Sequence, residues 1–126
     1  MSTATAAVGT RPAWIPDVAL PSEGRIADVG CGDGRTSVAI ALAYPDALVD
    51  AVDGDEQAIA TARDRARSQS VTGRVTFRHA DPATLRVGDL PVYDVVIAPA
   101  HLRDAAARLA RGHGVLVVRD DLPPRP

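Results

Sequence analysis

The spacing of apolar residues switches period several times along the chain, and each switch marks a predicted element. Arg25 to Val29 is a short apolar run closed by glycines, and Thr36 to Tyr44 carries Val38, Ala41 and Leu42 at helical spacing until Pro45 stops it. Strand then helix is the simplest reading. The alternation repeats: Ala47 to Val52 reads as a strand, and Asp55 to Ser68 as a helix with Ile59, Ala62 and Ala66 on one face and Asp55 or Gly54 as its cap. Beyond Gly73, Arg74 to His79 alternates Val75 and Phe77 with polar residues, as in a strand exposed on one face at a sheet edge. Tyr93 to Ala98 is a fourth strand, His101 to Arg111 a further helical stretch, and Gly114 to Val118 a fifth strand.

Strands alternating with helices imply right-handed crossovers, hence an α/β domain whose parallel sheet carries helices on both faces. Ligands of such sheets bind beyond the carboxyl ends of the strands, where strand order reverses. Chemistry is therefore expected in the loops after Val29, Val52, His79 and Ala98. Outside this pattern, residues 1–12 are read as a disordered tail and residues 13–24, with Trp14 and Ile15 between prolines, as a linker or lid. Residues 25–119 form the predicted ligand-binding domain, and residues 120–126 a proline-stopped tail.

Composition narrows the partners. With 126 residues, 46% hydrophobic and 24% charged, the chain has room for one globular domain. A formal charge of -2 and a pI near 5.8 lack the positive surplus that general nucleic-acid or anionic-membrane binding draws on, so a small-molecule ligand is expected and nucleic acid is not. The aromatics are Trp14, Tyr44, Phe77 and Tyr93, which leaves little for a base-stacking platform. Cys31 is the single cysteine, no secretory leader precedes the first strand and no apolar run approaches a membrane span, which points to the cytoplasm. All fourteen basic residues are Arg, with no Lys and no Asn, a bias read as genomic and not chemical.

The first loop, Asp28-Val29-Gly30-Cys31-Gly32-Asp33-Gly34, has glycine at every second position between a strand and a helix. That spacing suits a sharp turn against which a ligand rests. It departs from the dinucleotide fingerprint, in which glycines at G-x-G-x-x-G seat a pyrophosphate on the helix N-terminus, and Asp33 would stand against that phosphate. The two acids suit a ligand with a positive end, such as an amino group or a sulfonium, and disfavour NAD.

An acid followed by G-x-G-x-G resembles the first motif of the class I S-adenosylmethionine-dependent methyltransferases, and the likeness extends over roughly Ala13 to Arg119. It implies a three-layer Rossmann-like sandwich with a mostly parallel five-stranded sheet in the order 3-2-1-4-5, lacking the family's C-terminal antiparallel hairpin. It implies S-adenosyl-L-methionine as cofactor. Gly30, Cys31, Gly32 and Gly34 would hold the methionine portion, with Asp28 towards its ammonium group. Asp53, at the end of the second strand with Gly54 after it, would accept the ribose hydroxyls. Ala80-Asp81-Pro82 resembles the family's adenine-contacting motif, with turn capping as the other reading of Asp81. Ala98 and the loop to His101 would lie beside the methyl group, and His101 is the candidate base, with a plain surface histidine as the alternative.

The implied function is in-line methyl transfer to a small-molecule acceptor, or else a non-catalytic S-adenosylmethionine-binding module that needs a partner chain. No Asn-Pro-Pro-aromatic sequence follows the fourth strand, which argues against DNA or protein-glutamine methylation. His79, His113 and Cys31 show no metal-ligand spacing, Cys31 is read as packing, Arg63 and Arg67 as a solvated face, and Asp50 as solvated. The fifth strand would expose its edge, so a homodimer or a partner chain covering it is expected.

Overall fold

The computed structural model describes residues 24–85, 90–110 and 115–118. The expected tails, the Trp14 lid and His113 lie outside the described residues. Strand β1 (Arg25–Val29) leads through the glycine loop into helix α1 (Arg35–Ala43), then β2 (Leu48–Asp53), α2 (Glu56–Ser68) and β3 (Val75–His79). The chain returns through a 3-10 turn at Pro82–Thr84 to β4 (Val95–Ala98), a second 3-10 turn at Ala100–Leu102, α3 (Arg103–Leu109) and β5 (Val115–Val118). All ladders are parallel and the sheet order is β3-β2-β1-β4-β5. The chain thus enters at the centre, winds outward to β3 and crosses back to β4. The reversal between β1 and β4 is where such a sheet opens a binding crevice.

Each helix follows from local chemistry. Asp55 caps α2 by accepting from the backbone N–H groups of Gln57 and Ala58 (3.0 and 3.1 Å), with Glu56 in the first turn and Arg65 and Arg67 in the last, as the helix dipole favours. Helix α1 has no side-chain cap; it starts from Gly34 in the left-handed region and ends where Pro45 forbids a helical Tyr44.

Side-chain alternation along the strands divides the core in two. Ile26, Val49, Ala51, Val75, Phe77, Val95 and Ile97 face α1 and α2, which contribute Val38, Ile40, Ala41, Ile59, Ala62 and Ala66. Ala27, Val29, Val52, Val96 and Ala98 face the other way, onto Ala106 and Leu109 of α3. Beside α3 on this second face lies a cavity of about 260 Å³, lined by Ala27, Asp50, Val52, Leu85, Tyr93 and Leu109 among others. It takes no lining from Gly30 to Gly34.

Asp50 corrects the expectation of a solvated carboxylate. Its Oδ2 accepts from the Tyr93 hydroxyl at 2.8 Å and from Arg25 Nε at 3.2 Å, because β2 places it beside β1 on the face that Tyr93 closes. Tyr93 is 2% exposed, and burial first, then the hydrogen bond and charge of Asp50, push its pKa well above the usual tyrosine value. A phenol harder to ionise folded than unfolded contributes stability that is complete below the unfolded value, about 10, and lost as pH rises beyond it. Tyr93→Phe is therefore expected to cost about 1 kcal/mol near neutral pH through the lost hydrogen bond, and to soften the alkaline loss of stability. Urea midpoints at roughly pH 8 and pH 11 check this, and a parallel decline in both proteins would contradict it.

Candidate functional site

Three loop starts are zipped together at the carboxyl end of the sheet. The backbone N–H groups of Gly30 and Cys31 donate to Val52 carbonyl (2.8 and 3.0 Å), and that of Ala80 donates to Asp53 carbonyl (3.0 Å). The loops after β1, β2 and β3 therefore emerge side by side, bringing Gly30, Gly32, Asp53, Gly54, Ala80 and Asp81 to one rim, all at least partly exposed.

The glycine loop is held from within. Gly30, Gly32 and Gly34 all have positive φ, at 73°, 58° and 80°. Gly34 is required twice over, since a Cβ there would sit 2.6 Å from Ala62 Cβ and 2.9 Å from Phe77 Cζ. Its place is against α2 and β3, under the loop. The Gly34 N–H donates to Cys31 carbonyl at 3.2 Å, and the Gly32 N–H donates to Asp53 Oδ2 at 2.8 Å. With the N–H groups of Gly30, Cys31, Gly32 and Gly34 engaged inside the protein, the loop is not a phosphate cradle.

Asp53 stands at the centre of the rim. Its Oδ1 accepts from the Asp55 N–H at 2.8 Å while Oδ2 holds Gly32. A carboxylate has about four acceptor sites, so two remain for a pair of vicinal hydroxyls. Asp81 accepts from Ala83 N–H at 3.0 Å and so caps the Pro82–Thr84 turn, while remaining exposed. This is the capping reading, with the second carboxylate oxygen still directed outside that bond.

Other predicted residues lie deeper. Asp28 is 0% exposed, and Ser37 Oγ donates to its Oδ2 at 2.7 Å. Strand alternation sends Asp28 to the same face as Ile26, under α1, where Ser37 holds it. Cys31 and Ala98 have fully buried side chains, and Pro82 is buried. His101 is exposed on the turn after β4, while His79 faces Gly54 carbonyl at 3.1 Å. Asp33 was expected to meet a positive ligand. Instead its carboxylate lies 3.5 Å from Arg65 Nη2 and 3.8 Å from Arg35 Nη2, and accepts from the Arg35 N–H.

Residues 26–117 match the family described as a methyltransferase domain. The chain belongs to the S-adenosylmethionine-dependent methyltransferases. Among curated relatives it is 42% identical over 65 residues to the ribosomal RNA large subunit methyltransferase G of Streptomyces coelicolor, covering 49% of this chain and 17% of that one. It is 32% identical over 94 residues to the release factor glutamine methyltransferase of Neisseria gonorrhoeae, covering 74% of this chain and 34% of that one. A solved S-adenosylmethionine-dependent methyltransferase from Thiobacillus denitrificans, in complex with S-adenosyl-L-homocysteine, shares the fold at a TM-score of 0.68 and 21% identity, over 91% of this chain and 45% of that one. The chain spans about a third or less of the length of these two curated relatives. S-Adenosylmethionine is the cofactor of the family, and the donor-spent loop and the spare acceptor sites of Asp53 fit it.

These relatives correct the partner expectation. The expectation against nucleic acid is overturned by similarity to a ribosomal RNA methyltransferase, and the one against protein-glutamine methylation loses its footing beside a release factor glutamine methyltransferase. Net charge sums the whole chain and does not report the charge of a local surface, and the match covers 17% of the RNA enzyme. Among the described residues, no helix is long and apolar enough to cross a membrane, and no group of three potential ligands is placed to hold a metal ion.

Proposed function

We propose that this domain binds S-adenosylmethionine across the carboxyl ends of β1, β2, β3 and β4 and presents its methyl group for transfer. The observation that carries the reading is the Asp53 carboxylate, which fixes the glycine loop through Gly32 while keeping acceptor sites for a ribose diol. Gly30 and Gly32 line the methionine portion, Gly54, Ala80 and Asp81 frame the adenine, and Ala98 to His101 border the methyl position. When bound, S-adenosylmethionine would supply an activated methyl carbon open to attack by an acceptor lone pair, with the thioether of S-adenosylhomocysteine as leaving group.

The chain's own contribution is alignment, exclusion of water and, for a protonated acceptor, proton removal. His101, exposed on the turn after β4, is the residue we assign to take that proton. Members of the family whose names specify an RNA and a protein acceptor share this core, so the acceptor class is set elsewhere than in the glycine loop. Transfer of label from methyl-labelled S-adenosylmethionine, tested against RNA, protein and small hydroxyl or amine acceptors, is expected to give S-adenosylhomocysteine with at least one class. Cofactor binding with no turnover on any class would contradict the catalytic reading and leave a binding module.

A further inference from the structure

The glycine loop is pinned by two side chains, and only one of them belongs to the proposed cofactor site. On the rim, Asp53 holds the Gly32 N–H at 2.8 Å. Independently Arg65, on α2, reaches across 32 positions of sequence, and its Nε donates to the Asp33 backbone carbonyl at 3.2 Å. Its Nη2 lies 3.5 Å from the Asp33 carboxylate. The two anchors grip consecutive residues of the loop's most pliant stretch, where Asp33 sits between two glycines with φ of 58° and 80°.

Helix α2 is a firm base for this grip. Ala62, three residues before Arg65, lies fully buried where Gly34 closes on it, and Ile59 and Ala66 hold the same helix against the sheet. The guanidinium is planar and forked, so one side chain engages both the carbonyl and the carboxylate of a single residue. A loop already held in its binding shape spares the ligand the ordering of free backbone, which costs about 1–2 kcal/mol per residue.

We infer that Arg65 is a positioning residue for cofactor binding: it sets the conformation of the glycine loop from outside the site, and Asp33 is its receptor. The inference rests on the proposed S-adenosylmethionine site. Arg65 touches the loop at Asp33 and acts through it.

Calorimetric titration with S-adenosylhomocysteine, alongside amide hydrogen exchange at Gly32 to Gly34, tests this on the full chain. Arg65→Ala is expected to raise Kd about tenfold, equivalent to about 1.4 kcal/mol, and to speed exchange at those amides. Arg65→Lys, which keeps a donor but loses the fork, falls between the two. Arg67→Ala, which removes an exposed arginine paired with Asp64 on the same helix, leaves both readouts as in the wild type. Asp33→Ala, which removes the carboxylate and keeps the carbonyl, loses less than Arg65→Ala. The inference is overturned if wild type binds and Arg65→Ala binds within twofold of it, or if the loss comes with a general fall in melting temperature and unchanged exchange at the loop. Failure of wild type to bind would instead strike the site assignment itself.

Discussion

Asp53→Ala should weaken S-adenosylmethionine binding about a hundredfold or more, the largest functional loss expected of any single substitution in this domain. Two hydroxyl bonds to a carboxylate contribute about 1.5 kcal/mol each at the lower end, and about 1.4 kcal/mol is a factor of ten in affinity. The variant also frees the Gly32 N–H and the Asp55 N–H, which Asp53 now accepts at 2.8 Å each, so the loop loses an anchor along with the ligand's partner. Asp53→Asn separates the two parts. It retains one carbonyl oxygen to hold Gly32 and removes the charge, so its affinity should lie between those of wild type and Asp53→Ala. Calorimetry on folded protein reads both, and an Asp53→Ala affinity within threefold of wild type would remove Asp53 from the site.

Gly34→Ala should cause the largest loss of stability. A left-handed φ of 80° costs an alanine about 1–2 kcal/mol, and its Cβ would press on Ala62 Cβ at 2.6 Å and Phe77 Cζ at 2.9 Å. Neither neighbour is the free end of a flexible chain, and overpacking of this kind costs about 1–3 kcal/mol more. The combined loss of roughly 2–5 kcal/mol is a large share of the stability of an ordinary domain. Gly54→Ala is the matched control, because a Cβ there meets nothing nearer than Ala80 carbonyl at 3.9 Å. Urea denaturation should show a clear fall in midpoint for Gly34→Ala and almost none for Gly54→Ala. Equal midpoints in the two variants would mean that the loop relaxes freely away from α2.

The strand and helix pattern was legible because β4 reads as an unbroken apolar run and β1 as one interrupted only by Asp28 after its first residue, both buried on both faces, while edge strand β3 alternates. Boundaries moved by one or two residues: Asp55 proved to be the cap of α2, and the stretch from His101 resolved into a 3-10 turn followed by α3 from Arg103. Glycine spacing identified the loop, and the acid after Val52 was found from its place at a strand end.

The partners of the acids were not legible, because they come from elements far apart in sequence. Tyr93 reaches Asp50 across 43 positions and Arg65 reaches Asp33 across 32, and no local pattern announces either pairing. Counting acids in the glycine loop therefore led to the right cofactor class by an incomplete route. Asp33 is claimed by arginines and Asp28 by Ser37, and the case against a pyrophosphate rests on backbone donors turned inward. Asp28 could have been read better: period-two alternation already sets it beside Ile26, on the face that α1 covers. The acceptor surface was not legible at all from overall charge.

The central claim is that the glycine loop and Asp53 form a site for an adenosyl sulfonium and not for a dinucleotide. Titrating the wild-type protein calorimetrically with S-adenosylmethionine and, separately, with NAD tests it most directly. Saturable one-to-one binding of S-adenosylmethionine with no heat from NAD is the predicted result; NAD binding, or no binding of S-adenosylmethionine by a folded protein, would contradict it.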